Sequence, residues 1–446
     1  MARCLAAFAA AFLFVSPCAV AADADPGSAG TDATEDWAVH GQFTFVEQYH
    51  PAFRSPYRGR NSLDPVSRGD ETIDATLYLG ARLWQGAEAW VNGEVDQGFG
   101  LSNTEGIAGF PNAEGSKVGS ATPYPKLHRL FLRQTVGLGG DSEELEADAN
   151  QLAGRRDKDR LVATVGKFSA TDIFDTNAYA HDSKNSFLNW TINDMGTFDY
   201  AANAWGYTEG VAVEWYQDWW TLRTGYFDLS TVPNGSKLDR AFARQFQVDA
   251  EVEERHTLLD HPGAVRLLAF LSHGRMGLFR DALALSQSNG MPPDTALVRH
   301  LHERSGVAIN IEQEVADDAG IFLRAGYDDP SREPYEFADV DASVSGGLSL
   351  KGNRWQRPDD VMGVALVVNG ISRQHETYLD EGGLGILVGD GKLPHPGDEK
   401  IIEAFYNFAV QKWLKLSADY QYVDNPAYNR DRGPVSILGA RIHAEF

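Results

Sequence analysis

A strict alternation of apolar and polar residues recurs along nearly the whole chain and restricts its fold more than any other feature. In the last ten residues, ILGARIHAEF, every second residue from Leu438 to Phe446 is apolar. In ETIDATLYLGARLW, residues 71–84, every second residue from Ile73 to Leu83 is also apolar. Successive side chains of a β-strand point to opposite sides, so these segments predict strands with one apolar and one polar face.

About sixteen such segments follow one another to the end of the chain. An even number of antiparallel strands in this range is typical of single-chain bacterial outer-membrane barrels. The predicted strands lie at about 37–50, 71–84, 87–98, 127–138, 157–168, 207–217, 220–230, 243–258, 263–275, 304–316, 319–328, 333–351, 359–374, 399–412, 414–424 and 435–446.

Short and long connections largely alternate between these segments, so the short ones would lie at one end of the strands and the long ones at the other end. The short ones lie at 85–87, 217–218, 316–318 and 412–413, and the long ones at 51–70, 99–126, 169–206, 276–303 and 375–398. Short periplasmic turns and long extracellular loops are typical of outer-membrane barrels, so we predict an all-β fold, a transmembrane antiparallel β-barrel of about 16 strands. The charged connection 141–160 fits poorly, because it is long but falls on the short side.

Tryptophans and the last residue give independent support for a barrel. An indole ring is stable at the level of the lipid headgroups, so a belt of tryptophans at strand ends is expected. The tryptophans that fall at strand ends on the short-turn side are Trp37, Trp84, Trp219, Trp220, Trp355 and Trp413. The chain ends on a strand because the last strand must pair with the first, since lipid offers no hydrogen-bond partners.

The N-terminal residues predict export from the cytoplasm. A basic residue, an apolar run from Leu5 to Val15 and a small-residue cleavage site indicate a secretory signal peptide over residues 1–21. That run is too short for a transmembrane helix, which needs about 20 residues. Residues 22–36 are small and acidic and predict a flexible leader, so the barrel is expected over residues 37–446. Both cysteines lie in the signal peptide, so the mature chain has no thiol.

The net charge of −24 excludes several partners. Nucleic acid is bound through clustered lysine and arginine, and anionic lipid surfaces attract polybasic segments, so neither is expected to bind. The Gly-x-Gly pattern in 383–389 has no following helix, and His300, His302 and Glu303 lack a further ligand group. We therefore predict no cofactor, no metal and no enzymatic activity.

If the apolar faces meet lipid, the polar faces line a wet lumen. Arginine offers five fixed donors and carboxylates accept hydrogen bonds, so both suit the hydroxyl groups of sugars. The predicted pore-lining and substrate-binding side chains on strands are Arg82, Trp90, Asn92, Glu94, Asp96, Arg129, Arg133 and Arg223. The long segment 166–210 either folds into the lumen or caps the barrel from outside. It adds the candidates Asp175, Asn177, Asn189 and Trp190.

Four longer segments point to one family. They read HGQFTFVEQYHPAFRSPYRGRNSL, LGARLWQGAEAWVNGEVDQGFGLSNTEGIAGFP, VGKFSATDIFDTNAYAHDSKNSFLN and WGYTEGVAVEWYQDWWTLRTGYFDLS. The chain resembles the carbohydrate-selective porins (OprB type) of Gram-negative outer membranes over most of its mature length. The resemblance implies a sixteen-stranded barrel that passes glucose-like sugars by passive diffusion, with basic and aromatic residues at its constriction. It also implies the cell outer membrane, with lipid and lipopolysaccharide around the barrel. The terminal Phe446 resembles the signal read by the barrel-assembly machinery.

Two other functions stay open at this point. The lumen arginines would also suit a channel for small organic acids. An outer-membrane barrel hydrolase would need a Ser or Asp–His constellation at the rim, and no nucleophile elbow is present. The sequence is compatible with a single barrel and with a homotrimer.

Overall fold

The computed structural model describes residues 34–446 and confirms the expected barrel. Sixteen antiparallel strands close into one barrel, in which every strand pairs with its neighbours in sequence. The predicted signal peptide 1–21 and nearly all of the leader 22–36 lie outside the described residues. The strands are β1 (Trp37–His50), β2 (Arg68–Trp84), β3 (Ala87–Gly98), β4 (Ser120–Leu145), β5 (Gly154–Phe168), β6 (Thr208–Gln217), β7 (Trp220–Asp228), β8 (Phe246–Leu258), β9 (His261–Met276), β10 (His300–Ala316), β11 (Ala319–Asp328), β12 (Ala342–Lys351), β13 (Val361–Gly370), β14 (Glu399–Gln411), β15 (Leu414–Asp424) and β16 (Val435–Glu445).

The barrel closes where β16 pairs with β1 over eight residue pairs. The last residue extends this seam, because the N–H of Phe446 donates to the Gly41 carbonyl at 2.9 Å and the N–H of Gly41 donates to the Phe446 carbonyl at 2.8 Å. The ring of Phe446 covers Gly41, where an added Cβ would come within 2.5 Å of a ring carbon. A glycine at this position therefore leaves room for the terminal aromatic ring.

The two faces of the strands differ in polarity as the alternation predicts. In β2, the outward Leu77 and Leu79 are exposed, whereas the inward Thr76 and Tyr78 are buried. Leucine and valine are frequent among the exposed side chains of the other strands as well. So much exposed apolar surface is expected where a barrel contacts lipid.

Short turns and long loops lie at opposite ends of the barrel, as predicted. Two-residue turns join β2 to β3, β6 to β7, β8 to β9, β10 to β11 and β14 to β15. The long connections, named L1 to L8 in chain order, are 51–67, 99–119, 169–207, 229–245, 277–299, 329–341, 371–398 and 425–434. The strand expected from residue 333 begins only at Ala342, because the preceding residues belong to L6.

Helices in the described residues are confined to connections. They are α1 (Trp190–Asn193) in L3, α2 (Phe279–Asn289) in L5 and α3 (Arg373–Asp380) in L7, with 3-10 segments at Leu101–Thr104, Ala170–Asp172, Thr295–Val298, Gly352–Trp355 and Pro426–Tyr428. Within the described part of the chain, no helix has the length and apolar character needed to span a bilayer. Trp37, Trp84, Trp219 and Trp413 lie at the short-turn end, each with more than half of its surface exposed.

The exceptional connection 141–160 is the end of a long β-hairpin. Strands β4 and β5 continue together beyond the residues that pair with β3 and β6. The turn of this hairpin is held against the barrel, since Arg133 Nη1 donates to the Asn150 carbonyl at 2.8 Å and Leu152 is fully buried. The connection is therefore long because its two strands are long, and the order of turns and loops is preserved.

Candidate functional site

Loop L3 lies inside the barrel, because lumen-facing side chains hold it there. The buried guanidinium of Arg324 on β11 donates to the carboxylate of Asp175 at 3.0 Å. The same guanidinium donates to the carbonyls of Ala180 and Ile192 at 2.7 and 3.0 Å. Asn310 on β10 donates to the Asp175 carboxylate at 2.6 Å. These bonds tie L3 to β10 and β11.

The second half of L3 is held from the other side of the barrel. The carboxylate of Glu403 on β14 accepts hydrogen bonds from the N–H groups of Leu188 and Asn189 at 2.5 and 3.0 Å. Arg441 on β16 donates to the Ser186 carbonyl at 3.0 Å. L3 therefore crosses the lumen, which confirms the inward alternative for segment 166–210.

Loop L2 also bends inward and packs against L3. The carboxylate of Glu399 on β14 accepts from the N–H groups of Ala108 and Gly109 at 3.0 and 2.7 Å. The rings of Phe110 in L2 and Trp190 in L3 stack with their centroids 5.2 Å apart. Together the two loops fill part of the lumen, and the space beside them, which we call the passage, extends along the inner faces of β2, β3 and β4.

That passage is a cavity of about 630 Å³ between L3 and the inner faces of β2, β3 and β4. It is bordered by Asn234 and Leu387 at the long-loop end and by Gln42 and Glu445 near the short-turn end. Its charged and aromatic lining consists of Asp74, Tyr78, Glu94, Asp96, Phe110, Glu114, Lys117, Tyr124, His128, Arg129, Asp148, Asp172, His181, Asp182, Lys184, Trp190, Asp194, Tyr200, Trp205, Tyr207, Phe337 and Glu445. A second cavity of about 1020 Å³ shares residues of L3 with the first and extends to the short-turn end.

A β-bulge in β4 turns an additional side chain into this cavity. Between Asn92 and Gly93 the pairing of β3 with β4 shifts by one residue. As a result His128 and Arg129, although adjacent in sequence, both line the cavity, while Leu127 is exposed on the outside. A bulge re-aims side chains in this way because it inserts one unpaired residue into the strand.

Ion pairs join L3 to strands β2 and β4 across the passage and narrow it. Arg129 on β4 binds the carboxylate of Asp172 with two hydrogen bonds of 2.8 and 2.6 Å. Lys184 of L3 lies 3.2 Å from the carboxylate of Asp74 on β2 and also donates to Glu114 of L2. We call the part of the passage between these two pairs the constriction.

Lys184 and Asp172 of L3 are ionised because of these partners. Burial by itself would lower the pKa of Lys184, but the carboxylates of Asp74 and Glu114 raise that pKa well above its ordinary value. Burial by itself would raise the pKa of Asp172, but the Arg129 guanidinium lowers that pKa below its ordinary value. Both groups are therefore charged at neutral pH.

Aromatic rings alternate with charges along the wall. Tyr207 stacks on the imidazole of His128 with ring centroids 4.2 Å apart, and the Arg129 guanidinium lies 5.0 Å from the Tyr207 ring centre. Nearby, the ammonium of Lys126 lies 3.5 Å from the centre of the Trp205 ring. Such a wall offers apolar faces together with hydrogen-bond donors and acceptors.

Arg223 on β7 and Arg266 on β9 already have acidic partners. Arg223 lies 2.7 Å from Glu251 and 3.0 Å from Glu253. Arg266 lies 2.8 Å from Glu253 and 3.1 Å from Glu312. Glu251 and Glu312 also accept hydrogen bonds of 2.8 and 2.7 Å from N–H groups of L3. This network braces the wall and holds the loop.

The structure places the predicted site residues in three groups. Those that line the cavity are Glu94, Asp96, Arg129 and Trp190. Those that donate to carbonyls of the β4–β5 hairpin turn are Arg82 and Arg133. Those that are buried in the wall or in contacts with L3 are Trp90, Asn92, Arg223, Asp175, Asn177 and Asn189. Asn177 also borders the second cavity.

Sequence reasoning missed Asp74, Tyr78, His128, Lys184 and Tyr207 as candidates. Asp74 and Tyr78 lie on the polar face of β2, so the alternation alone could have identified them. His128 was hidden because the bulge breaks the alternation of β4. Lys184 and Tyr207 lie in L3, where no periodic pattern tells which side chains face the passage.

Comparison with known proteins gives matches to porins. The family described as "Carbohydrate-selective porin, OprB family" matches residues 60–446. The high-pH structure of Pseudomonas putida OprB has a TM-score of 0.70 at 15% sequence identity and covers 92% of this chain and 94% of its own. The outer-membrane channel DcaP of Acinetobacter baumannii has a TM-score of 0.51 at 11% identity, with 92% and 97% covered. At these identities the structures support the fold. A search of curated proteins found no match.

Proposed function

This chain belongs to the carbohydrate-selective porins of the OprB family, and from this premise we propose that neutral monosaccharides such as glucose cross it through the constriction beside L3. As a member of that family it is an integral protein of the Gram-negative outer membrane, a channel for carbohydrates and not an enzyme.

The observation that carries this proposal is the mixed chemistry of the constriction. Arg129 and Lys184 present donors, Glu94 and Asp96 present acceptors, and Tyr207 presents an aromatic face, all in the lining of one cavity. Sugar hydroxyls both donate and accept hydrogen bonds, so a wall of both kinds exchanges bonds with a passing sugar.

The charge of the cavity favours neutral solutes over organic acids. Nine acidic side chains and three lysine or arginine side chains line it, so the acidic groups outnumber the fixed cations. Charged groups that line a pore select against solutes of the same sign. The arginines that left an acid channel open are paired with glutamates in the braced wall, as for Arg223 and Arg266.

Several expected partners form part of the same proposal. The exposed apolar side chains of the strands support contact with outer-membrane lipid and lipopolysaccharide. The pairing of Phe446 within the closing seam supports its recognition by the barrel-assembly machinery. A homotrimer stays a prediction, which the mass of the detergent-solubilised protein tests.

Swelling of proteoliposomes in isotonic solutes tests the route and the substrate class. We expect glucose to enter faster than a disaccharide and faster than a dicarboxylate of similar size. The variants Arg129→Ala and Lys184→Ala remove the bridging pairs, so the disaccharide-to-glucose ratio should rise. Arg354→Ala is the matched control, because this arginine pairs with Asp318 at the short-turn end, away from the constriction.

Two results would contradict the proposal. One is faster entry of the dicarboxylate than of glucose, which would indicate an acid channel. The other is an unchanged disaccharide-to-glucose ratio in both Arg129→Ala and Lys184→Ala when the barrels are folded, which would place the sugar route elsewhere.

A further inference from the structure

Three potential metal ligands converge on one point of the passage wall. Glu94 and Asp96 are alternate residues on the inner face of β3, and His128 is the bulged residue of β4 beside them. His128 Nε2 lies 3.3 Å from a carboxylate oxygen of Glu94 and 3.3 Å from one of Asp96. The three ligand atoms all lie within 4.8 Å of one another, and all three residues line the cavity.

We propose that Glu94, Asp96 and His128 form a binding site for a divalent zinc-type metal ion in the wall of the passage. Zinc bonds to histidine nitrogen and carboxylate oxygen are about 2.0–2.1 Å long, so neighbouring ligands of a tetrahedral ion are about 3.3 Å apart. The two His128 distances have this value. Imidazole together with carboxylate favours zinc, copper or nickel over calcium and magnesium.

The surroundings favour a cation at this point. The two carboxylates of the cluster are joined by those of Asp74, Glu114 and Asp172, whereas the fixed cations beside them are Arg129 and Lys184. The five acidic side chains outnumber the two fixed cations, so this part of the wall suits a cation better than an anion.

The ligands are also held in place before any ion binds. Tyr207 stacks on the His128 ring, which limits its rotation, and Thr76 Oγ1 donates to the second carboxylate oxygen of Glu94. Contacts that orient the ligands increase metal affinity. The three protein ligands leave the fourth tetrahedral position to water on the cavity side, as in zinc sites that keep one position open.

The bound ion would occupy space next to the Arg129–Asp172 pair and add positive charge there. Sugar flux through the constriction should therefore fall when the metal binds. This regulation goes beyond the sugar route proposed above, and the binding itself can be measured without any sugar.

A second group of ligand atoms provides an internal control. His261 Nδ1 lies 3.0 Å from Glu314 and 4.0 Å from Asp317 at the short-turn end, but the Asp317 side chain is 98% exposed. That group is open to water and lies outside the constriction. His261→Gln therefore removes a histidine with similar neighbours without touching the proposed site.

Titration of the purified protein with ZnCl₂ in detergent, without sugar, tests the site. We expect one ion per barrel, with affinity reduced at least tenfold in His128→Gln and in Asp96→Asn, since even the loss of a partner that only orients a ligand costs roughly 10–100-fold. His261→Gln should bind as the parent protein does. In proteoliposomes, ZnCl₂ should slow glucose entry, a chelator should restore it, and His128→Gln should be insensitive.

The inference is overturned if the parent protein binds no zinc, or if binding survives His128→Gln and Asp96→Asn but is lost in His261→Gln. Unchanged glucose entry at saturating zinc refutes the effect on flux. Zinc binding without glucose entry would contradict the proposed sugar and leave the metal site intact, so the two failures are distinguishable.

Discussion

Arg324→Gln should release the first half of L3 from the barrel wall. The guanidinium is fully buried and donates to Asp175, Ala180 and Ile192 of L3. A glutamine side chain is shorter and uncharged, so it cannot reproduce these bonds or neutralise the carboxylate. The change acts on the position of the loop, because the strands themselves are joined by backbone hydrogen bonds.

The size of the effect follows from burial and from the partners that remain. Removing one member of a buried ion pair costs about 3–5 kcal/mol, since the other charge stays buried. Asp175 keeps the N–H of Met195 and the amide of Asn310, both at 2.6 Å, so we expect a cost near the lower limit. A loss of about 3 kcal/mol raises the population of a displaced loop roughly a hundredfold.

Single-channel recording in planar bilayers measures this displacement directly. We expect a larger and noisier conductance for Arg324→Gln, and faster entry of disaccharides into proteoliposomes. Arg354→Gln is the control, because this arginine is mostly exposed and such pairs contribute only about 0–1 kcal/mol. Parent-like conductance and sugar entry in a folded Arg324→Gln barrel would refute the view that this anchor keeps L3 in the lumen.

Three further changes test the packing and the charge of the site. Gly80→Ala should destabilise the barrel by about 1–3 kcal/mol, because an added Cβ would come within 2.4 Å of the Trp90 ring; an unchanged urea midpoint in detergent would contradict this. Leu152→Ala should loosen the hairpin turn by about 2–5 kcal/mol and accelerate its proteolysis while the barrel midpoint stays constant; equal cleavage rates would count against it. Arg129 lowers the pKa of Asp172, so this stabilisation is present above pH about 3.9 and is lost as the pH falls through the lowered pKa. The thermal midpoint should therefore fall below pH 4 more steeply in the parent than in Asp172→Asn, and parallel curves would exclude this contribution.

The strands could be located from the sequence because their signal is local. The expected segments 37–50, 87–98 and 319–328 coincide with β1, β3 and β11 to the residue. Lipid on one side and water on the other impose a period of two on each strand, whatever its neighbours are. The prediction was less accurate for β4, which continues into the long hairpin, and for β12, which begins only after L6.

For the candidate site, the alternation located only those residues that lie on strands. Glu94, Asp96 and Arg129 were expected in the lumen and line the cavity. Asn92 and Trp90 also point inward but are completely buried. The alternation predicts the face of the barrel wall on which a side chain lies, and it does not predict which residues cover that side chain. Arg133 was expected among the pore-lining side chains, and the structure shows it donating to the carbonyl of Asn150 in the hairpin turn, whose path is set by contacts distant in sequence.

The sequence by itself determined that the chain forms a closed barrel with an apolar outside and ends on a strand paired at the seam. Those properties follow from side-chain alternation and from the need to pair every backbone group in lipid. The tertiary structure decided which of the inward-facing polar residues border the passage and which are covered. A bulge brought His128 beside Glu94, and L3 carried Lys184 across the lumen to Asp74. Such contacts depend on register shifts and loop anchors, which leave no periodic trace in the chain.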